Sequence, residues 1–228
     1  MKFVNLGLII EDTLIISDLH IGQEEELLKK GVMIPKFQFK DLFENLKMLI
    51  ETTKPKKVII AGDLKHEFGS ISNQEWNDTF KVIDYILANC ESLILVRGNH
   101  DKILGPIASK KKIDVVDSYV FGENIVMHGD YLPRKEILTG VKRIIIGHEH
   151  PAIMLREESK AEKFKCFLKG KWKEYELVVL PAFNPFSTGI DITAEKLSSP
   201  FLKDIRDFDV FIVEQKKVFP FGKVSNIA

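Results

Sequence analysis

One segment shows the pattern that recurs along the chain: Leu93-Ile94-Leu95-Val96-Arg97-Gly98-Asn99-His100-Asp101. Its first four residues form an apolar run, and a glycine follows almost at once, a pattern typical of a buried strand that ends in a tight loop. The loop then presents an amide, an imidazole and a carboxylate in succession. We therefore predict a buried strand whose carboxyl end carries side chains suited to binding a metal ion.

Four other apolar runs end in the same way. They are Ile15-Ile16-Ser17-Asp18-Leu19-His20, Val58-Ile59-Ile60-Ala61-Gly62-Asp63, Ile125-Val126-Met127-His128-Gly129-Asp130 and Ile144-Ile145-Ile146-Gly147-His148-Glu149-His150. All six histidines of the chain, at positions 20, 66, 100, 128, 148 and 150, lie in or directly after these five loops. One histidine beside an apolar strand is often a core residue, but burying many polar side chains without partners is costly. Six histidines at strand ends therefore indicate a shared site.

Composition bounds the class of protein. The chain has 228 residues, of which 45% are hydrophobic, enough for a sizeable core, and we expect one globular domain over residues 1–228. Lys and Arg together number 33, as do Asp and Glu, so the formal net charge is zero. No overall charge therefore requires a nucleic acid or a membrane surface as partner, and any nucleic-acid surface must be local.

The cysteines and the amino terminus bear on the compartment. Cys90 and Cys166 lie far apart in the sequence, which fits free thiols in a reducing compartment. The first residues lack the basic start and long apolar run of a signal peptide. No apolar stretch is long enough to cross a bilayer. We predict a cytoplasmic protein that does not bind a membrane.

Strand, loop and helix alternate through the first hundred residues. Apolar side chains between Phe39 and Leu49 recur at helical spacing and predict a helix that faces the core. Residues 23–30 predict a short polar helix, and Ser72-Asn73-Gln74-Glu75 is a capping box that predicts the start of another. After Ile113 most apolar runs are strand-like, which predicts a second sheet. The alternation indicates an α/β fold with parallel strands, in which ligands gather at the carboxyl ends of the strands.

Lysines alternate with apolar residues between positions 160 and 173. The pattern favours a hairpin with one solvated face. The alternative is a nucleic-acid surface, because lysines can follow a phosphate backbone while aromatic rings stack on bases. In that case we expect substrate contacts from Lys169, Lys171 and Lys173, which lie near Phe164, Phe167 and Trp172.

The residue types in the five loops define the metal chemistry. Carboxylate, imidazole and amide ligands suit Mn²⁺, Fe²⁺, Zn²⁺ or Mg²⁺, and the lack of cysteine disfavours a structural zinc site. The set is rich enough for two ions, and a pair of ions ~4 Å apart stabilises the charge of an in-line displacement at phosphorus. Asp63 is the natural bridge between two ions because Gly62 lets the backbone approach closely.

Five motifs, in this order along the chain, resemble the signatures of the calcineurin-like metallophosphoesterase superfamily. They are Asp18-x-His20, Gly62-Asp63, Gly98-Asn99-His100-Asp101, His128-Gly129-Asp130 and Gly147-His148-Glu149-His150. The resemblance implies an α/β fold of two mixed β-sheets packed as a sandwich and flanked by helices. It also implies a dinuclear centre with manganese as the first expectation and iron, zinc, magnesium or nickel as alternatives.

The same resemblance implies roles for individual residues. One metal ion is held by Asp18, His20, Asp63 and His150. A second ion is held by Asp63, Asn99, His128 and His148. His100 faces the scissile phosphate as general acid or transition-state stabiliser, and Asp101 orients His100.

Three further segments look like the small phosphoesterases associated with DNA ligase or helicase genes in archaea and bacteria. They are residues 31–35, Gly62-Asp63-Leu64-Lys65-His66-Glu67-Phe68 and Leu180-Pro181-Ala182-Phe183. His66 stands where double-strand-break repair nucleases of the superfamily carry a histidine near the substrate, so we count it as catalytic. Unlike those nucleases, the chain ends soon after the catalytic core, so the resemblance does not extend to the recognition of long duplexes.

Three classes of function remain open. The first is a phosphodiesterase that cuts DNA ends or single strands in DNA repair, with a helicase or ligase as partner. The second is a phosphodiesterase or phosphatase for a small molecule such as a cyclic nucleotide. The third is a metal-free interaction scaffold, which needs no ligands, whereas all seven ligand positions here carry competent side chains. The first two share their metal chemistry, so only His66 and the closer resemblance favour nucleic acid.

Overall fold

The computed structural model describes residues 1–24, 31, 38–66, 73–101, 104–157 and 160–227. Its strands are β1 (Lys2–Val4), β2 (Gly7–Ile10), β3 (Thr13–Ile16), β4 (Lys57–Ala61), β5 (Ser92–Val96), β6 (Asp114–Val116), β7 (Ser118–Phe121), β8 (Asn124–Met127), β9 (Arg143–Ile146), β10 (Pro151–Glu157), β11 (Lys160–Trp172), β12 (Tyr175–Val179), β13 (Ile190–Asp191), β14 (Asp209–Glu214) and β15 (Lys217–Lys223). The helices are α1 (Gln38–Thr53), α2 (Asn73–Asn89) and α3 (Gly105–Lys111), and short 3-10 turns cover Lys135–Leu138 and Val224–Asn226.

Several sequence predictions fall on residues outside these ranges. Most of the short polar helix predicted at 23–30 and most of the motif at 31–35 lie there, as do Glu67, Phe68 and the capping residue Ser72. Within the described residues, no helix is both long enough and apolar enough to cross a membrane.

The first sheet has six strands in the order β1-β2-β3-β4-β5-β6. The first three strands are antiparallel, and β3 to β6 run parallel. Val58 and Ile60 of β4 pack towards α1 and α2, whereas Ile59 and Ala61 face the second sheet. Both faces of the strand are buried, which explains its unbroken apolar run.

The second sheet follows the order β13-β10-β11-β12-β9-β8-β7, with the β14–β15 hairpin joined to β11. Its strands β8, β9 and β12 run parallel, and the hairpins β10–β11, β11–β12 and β14–β15 are antiparallel. Both sheets are therefore mixed, and the predicted α/β fold of two mixed sheets with helices is confirmed.

A buried core joins the two sheets. Ile15, Ile59 and Ile94 of the first sheet pack in one cluster with Val126 and Ile145 of the second. The outer face of the second sheet packs against Phe201, Leu202, Ile205 and Phe208 of the late loops. Strands β3, β4, β5, β8 and β9 all end at the same edge of this sandwich, so the five loops predicted from the sequence open side by side.

Candidate active site

Backbone hydrogen bonds hold the five loops together. The N–H of Asp18 donates to the carbonyl of Gly62 over 3.1 Å, and that of His20 donates to Asp63 over 2.9 Å. In the second sheet, the N–H of Gly147 donates to the carbonyl of His128 over 2.9 Å. The side chains carried by these loops are thus fixed relative to one another by the sheets themselves.

One group of candidate ligands contains Asp18, His20 and His150. The Nε2 atom of His150 lies 3.3 Å from both Nε2 of His20 and Oδ1 of Asp18. Nε2 of His20 also lies 3.7 Å from Oδ2 of Asp63. One ligand atom from each of Asp18, His20 and His150 lies within 4.8 Å of the other two, a spacing that a single metal ion can span.

A second group surrounds His128. Its Nε2 atom lies 2.9 Å from Oδ1 of Asn99, 3.1 Å from Nδ1 of His148 and 3.4 Å from Oδ2 of Asp63. The Oδ2 atom of Asp63 therefore faces both groups. The structure brings together all seven residues that the sequence predicts as ligands. Ligand atoms of Asp18, Asp63 and His128 also lie within 4.8 Å of one another, as do those of His20, His66 and His100.

The electrostatics of the site suit cations. Asp18 is fully buried and Asp63 is 2% exposed. Burial alone would raise the pKa of Asp18, but the nearby His150, His128 and His20 together hold it well below its usual value. Burial lowers the pKa of His20 to about 3, so this imidazole stays neutral, as a metal ligand must be. Because buried carboxylates are paired or coordinate metals, this donor set fits divalent ions.

The backbone of the site is strained. Residues with positive φ, between 43° and 68°, include Asp18, His20, Asp63, His148 and His150. A non-glycine residue in this region costs roughly 1–3 kcal/mol and persists only where its surroundings enforce it, most often at functional sites. Gly62, with φ of 93°, has no such cost, and a Cβ atom there would overlap the ring of His128.

A second layer of residues holds the histidine ligands. Oγ of Ser187 lies 2.9 Å from Nδ1 of His150, and Oγ of Ser198 lies 3.3 Å from Nε2 of His148. Such contacts on the outer nitrogen fix the orientation of a ligating imidazole. The sequence did not indicate either serine, because Ser187 lies 37 residues after His150 and Ser198 lies 50 residues after His148, and no local pattern marks an isolated hydroxyl as the partner of a distant histidine.

Glu149 lies between two candidate ligands and is fully buried. Its carboxylate accepts hydrogen bonds from the backbone N–H groups of Ser198 and Ser199 and from the hydroxyl of Ser198. The hydroxyl of Ser199 donates to the carbonyl of Gly129 over 2.7 Å. This segment therefore ties the loop of His148 to the loop of His128.

Lys165 and Asn184 support the loop of Asp18 and His20. The ammonium group of Lys165 donates to the carbonyls of Ala182 and Asn184. The side-chain amide of Asn184 donates to the carbonyls of Leu19 and His20 over 3.0 and 3.3 Å. The loop that contains Leu180-Pro181-Ala182-Phe183 and Asn184 thus supports the backbone of two candidate ligands, Asp18 and His20.

His100 lies beside the proposed bridge. Its backbone N–H donates to Oδ1 of Asp63 over 2.9 Å, and its Nε2 atom lies 4.0 Å from Oδ2 of Asp63. Its ring stacks on that of His66 with 5.5 Å between centroids, and Nδ1 of His66 lies 3.4 Å from Nδ1 of His20. The two histidines predicted to be catalytic therefore adjoin the ligands.

Asp101 holds the loop that carries His100. Its buried carboxylate accepts hydrogen bonds from the backbone N–H groups of Gly98, Leu64 and Lys65. Nδ1 of His100 lies 2.8 Å from the carbonyl of His66. Burial and the charge of Asp63 raise the pKa of Asp101 to about 6.

The three lysines predicted to bind substrate lie elsewhere. Lys169 pairs with Glu176 over 3.1 Å, and Lys173 lies 4.2 Å from the ring of Trp172. Glu176 is level with the first residue of β9, whereas the candidate ligands follow the last residue of that strand. Lys171 is level with that first residue and Lys173 lies beyond it, away from the candidate ligands, whereas the backbone of Lys169 is level with Ile145, one residue before the end of β9. The ion pair turns the ammonium group of Lys169 towards Glu176. Residue alternation reveals the face of a strand but not which end adjoins the site.

Two mixed sheets with carboxylate, amide and imidazole ligands at one shared edge define a metallophosphoesterase. The sequence profile of the calcineurin-like phosphoesterases matches residues 12–212, and the chain belongs to this family. Members of this family use divalent metal ions, and membership supports a hydrolase that acts on phosphoric esters.

Solved structures share the fold. The nuclease MPE of Pseudomonas putida superposes with a TM-score of 0.66 at 22% identity, covering 92% of this chain and 88% of that one. The protein AQ665 of Aquifex aeolicus gives 0.41 at 19% identity, with coverages of 64% and 81%. The phosphoesterase Yfce of E. coli gives 0.41 at 14% identity, with coverages of 95% and 94%. No curated protein matches the sequence.

Proposed function

We propose that the protein is a two-metal phosphodiesterase that cuts single-stranded DNA or DNA ends in DNA repair, with manganese as its preferred metal. The observation that carries the proposal is the position of Asp63, whose Oδ2 atom faces His20 on one side and His128 on the other, with His100 beside it. A cytoplasmic location and a helicase or ligase partner belong to the same proposal.

Bound metal ions and protein side chains have separate roles in the proposed cleavage of a phosphodiester. Two bound divalent ions supply Lewis-acid stabilisation of the charge that develops on the phosphoryl oxygens. The protein holds His100 with Nδ1 towards the carbonyl of His66, and the His100 side chain is 20% exposed. That carbonyl accepts a hydrogen bond from Nδ1–H, so Nε2 is the atom that carries the second proton of the imidazolium form and donates it to the leaving oxygen.

Two features support DNA as the substrate. His66 stacks on His100, so a histidine stands beside the catalytic ring as it does in the repair nucleases that the sequence resembles. The fold neighbour with the TM-score of 0.66 is named a nuclease. The zero formal net charge favours a short contact with one strand over a long duplex interface.

One observation favours a second candidate, a small phosphodiester such as a cyclic nucleotide. Lys171 and Lys173, which would follow a DNA backbone, lie at the end of the second sheet opposite to the candidate ligands, and Lys169 is held in an ion pair with Glu176. A small diester needs only the groups around Asp63 and His100.

Rates on four substrates with Mn²⁺ distinguish the candidates. The substrates are labelled single-stranded DNA, an aryl phosphodiester, an aryl phosphomonoester and a cyclic nucleotide, and Asp63→Asn is the inactive control. We expect DNA and the aryl diester to be cleaved and the monoester to be the poorest substrate. Efficient hydrolysis of the cyclic nucleotide with every form of DNA left intact would replace the first candidate by the second.

A further inference from the structure

The loop that follows His128 exposes apolar side chains beside the site. Tyr131 is 44% exposed, Leu132 46% and Ile137 39%. Among the described residues, only Met1, Val120, Phe219 and Phe221 are large hydrophobic residues with comparable exposure. Three of the seven therefore follow the candidate metal ligand His128 within ten residues, and such clustering marks an interaction surface.

The position of Tyr131 is fixed by two neighbours. Its hydroxyl donates to the carbonyl of Asp117 over 3.3 Å, and the Asp117 carboxylate pairs with Arg97. Arg97 directly precedes Gly98 and Asn99, and its backbone N–H donates to Val116 over 2.8 Å. The phenol is therefore held on the side of the site occupied by Asn99 and His128.

The ring of Tyr131 is held by its hydroxyl end while nearly half of its surface is open. Burial and the charges of Asp117 and Asp130 raise its pKa, so the phenol is neutral at physiological pH. A neutral, fixed aromatic ring with exposed surface stacks well on an unpaired base. The bases of a duplex are stacked inside the helix and cannot use such a surface.

Two exposed arginines belong to the same region. Arg97, whose side chain is 48% exposed, pairs with Asp117, which also accepts a hydrogen bond from the Tyr131 hydroxyl, and the exposed Arg134 follows Tyr131 by three residues. Arginine and lysine contacts to phosphate supply most of the affinity for a nucleic-acid backbone. An exposed ring with arginines near it in the sequence or through a shared contact suits a strand with alternating bases and phosphates.

We propose that Tyr131 and Leu132 form a platform on which a base near the scissile phosphate of single-stranded DNA stacks, with Arg97 and Arg134 towards the adjoining phosphates. The inference rests on the proposed function, because it assigns the substrate surface of that same site. It moves the substrate contacts from Lys169, Lys171 and Lys173 to the edge that carries the candidate ligands.

The test compares Tyr131→Ala, Tyr131→Trp and Phe219→Ala. Phe219 is 43% exposed on β15 and serves as the matched control. Affinity for a fluorescent single-stranded oligonucleotide is measured with Mn²⁺ in the His100→Ala background, so that the strand stays intact. Cleavage of DNA and of an aryl phosphodiester is measured in the active protein.

Loss of the ring should weaken DNA binding about 5- to 100-fold, the range of stacking by one base. The ratio of kcat/KM for DNA to that for the aryl diester should fall similarly, through KM. Tyr131→Trp should retain binding, and Phe219→Ala should match the parent protein. Manganese content, measured in every variant, should be unchanged.

Unchanged DNA affinity in Tyr131→Ala, with DNA still cleaved by the wild type, would overturn the platform and leave the proposed function standing. Unchanged affinity together with a shift from dimer to monomer would assign the surface to a second copy of the chain. A wild type that hydrolyses the aryl diester but neither binds nor cuts DNA would overturn the proposed function and the platform together.

Discussion

At the scale of single residues, the carboxylate of Asp63 lies within 3.7 Å of His20 and 3.4 Å of His128. We expect Asp63→Asn to weaken the binding of both metal ions, because one side chain serves both groups. Asn99→Ala is the comparison, since Asn99 contacts only the group around His128. Metal content after dialysis checks this, and an Asp63→Asn variant that retains two ions at wild-type affinity would contradict the bridging role.

We expect His100→Ala to retain its metal but to lose about a hundredfold or more in turnover, the usual worth of general acid catalysis. The measurement is kcat on a phosphodiester with an alkoxide leaving group, alongside metal content. His100→Ala should lose less activity on a substrate whose leaving group needs no proton, such as a nitrophenolate. Loss of metal, or an equal loss on both leaving groups, would show that the role is misassigned.

The position of the seven predicted ligands at one edge could be inferred from the sequence, because all of them follow five apolar strands directly. The contacts of Ser187 and Ser198 with the outer nitrogens of His150 and His148 could not, since these serines lie in distant loops. The motif also does not reveal that the Asp101 carboxylate accepts a hydrogen bond from the backbone of Gly98.

At the scale of elements, the segment containing Ser198 and Ser199 is tied to the metal loops by Glu149. We expect Glu149→Gln to weaken metal affinity about 10- to 100-fold. The glutamine amide offers one acceptor oxygen, and its NH₂ group would face the backbone N–H groups of Ser198 and Ser199, which are also donors. Titration of the metal-free protein with Mn²⁺ measures this, with the exposed Glu174→Gln as control. Equal affinities in the two variants would refute the positioning role.

Strand β11 carries Lys165, whose ammonium group bonds to the carbonyls of the supporting loop. Burial lowers the pKa of Lys165 from 10.5 to about 7. Between these pH values the unfolded chain binds a proton that the folded chain lacks, so the free energy of unfolding rises with pH, by up to ~1.4 kcal/mol per unit.

We therefore expect the free energy of unfolding to rise with pH in the wild type and in the exposed Lys171→Met variant. This rise should be missing in Lys165→Met. Urea unfolding in EDTA at pH 7 and pH 9 measures the difference. A wild-type profile parallel to that of Lys165→Met would show that the lysine titrates normally in the folded protein.

The elements themselves were largely predictable, because buried parallel strands give unbroken apolar runs such as Val58 to Ala61. The hairpin of β11 and β12 was also predicted from its alternation. The position of the lysines was not predicted, since nothing in their alternation reveals that Lys171 pairs with Glu176, which is level with the first residue of β9.

At the scale of the whole molecule, each group of ligands draws on both sheets. Asp18 and His20 come from the first sheet and His150 from the second, while Asn99 comes from the first and His128 from the second. Binding of metal is therefore linked to the packing of one sheet on the other. An ion at a hundred times its Kd adds ~2.7 kcal/mol to the stability of the folded state.

We expect Mn²⁺ to raise the melting temperature of the wild type and EDTA to lower it, with little response from Asp63→Asn. Scanning calorimetry at fixed protein concentration measures the shift. An equal response from the variant would place the stabilising ion outside the candidate site.

The apolar runs indicated two sheets, but their packing as a sandwich was predictable only through the resemblance, since it depends on contacts far apart in the sequence. For example, Phe3 of β1 stacks on Phe167 of β11 with ring centroids 4.4 Å apart, and no local pattern indicates this contact.

The division of ligands between the sheets also orders the events of folding. Candidate ligands for one ion range from Asp18 to His150, so no short segment of nascent chain contains a complete set. Because such distant contacts form after local ones, a divalent ion meets its full coordination sphere only late, when the two halves have docked. A bound ion is therefore expected to slow unfolding and to have little effect on the rate of folding.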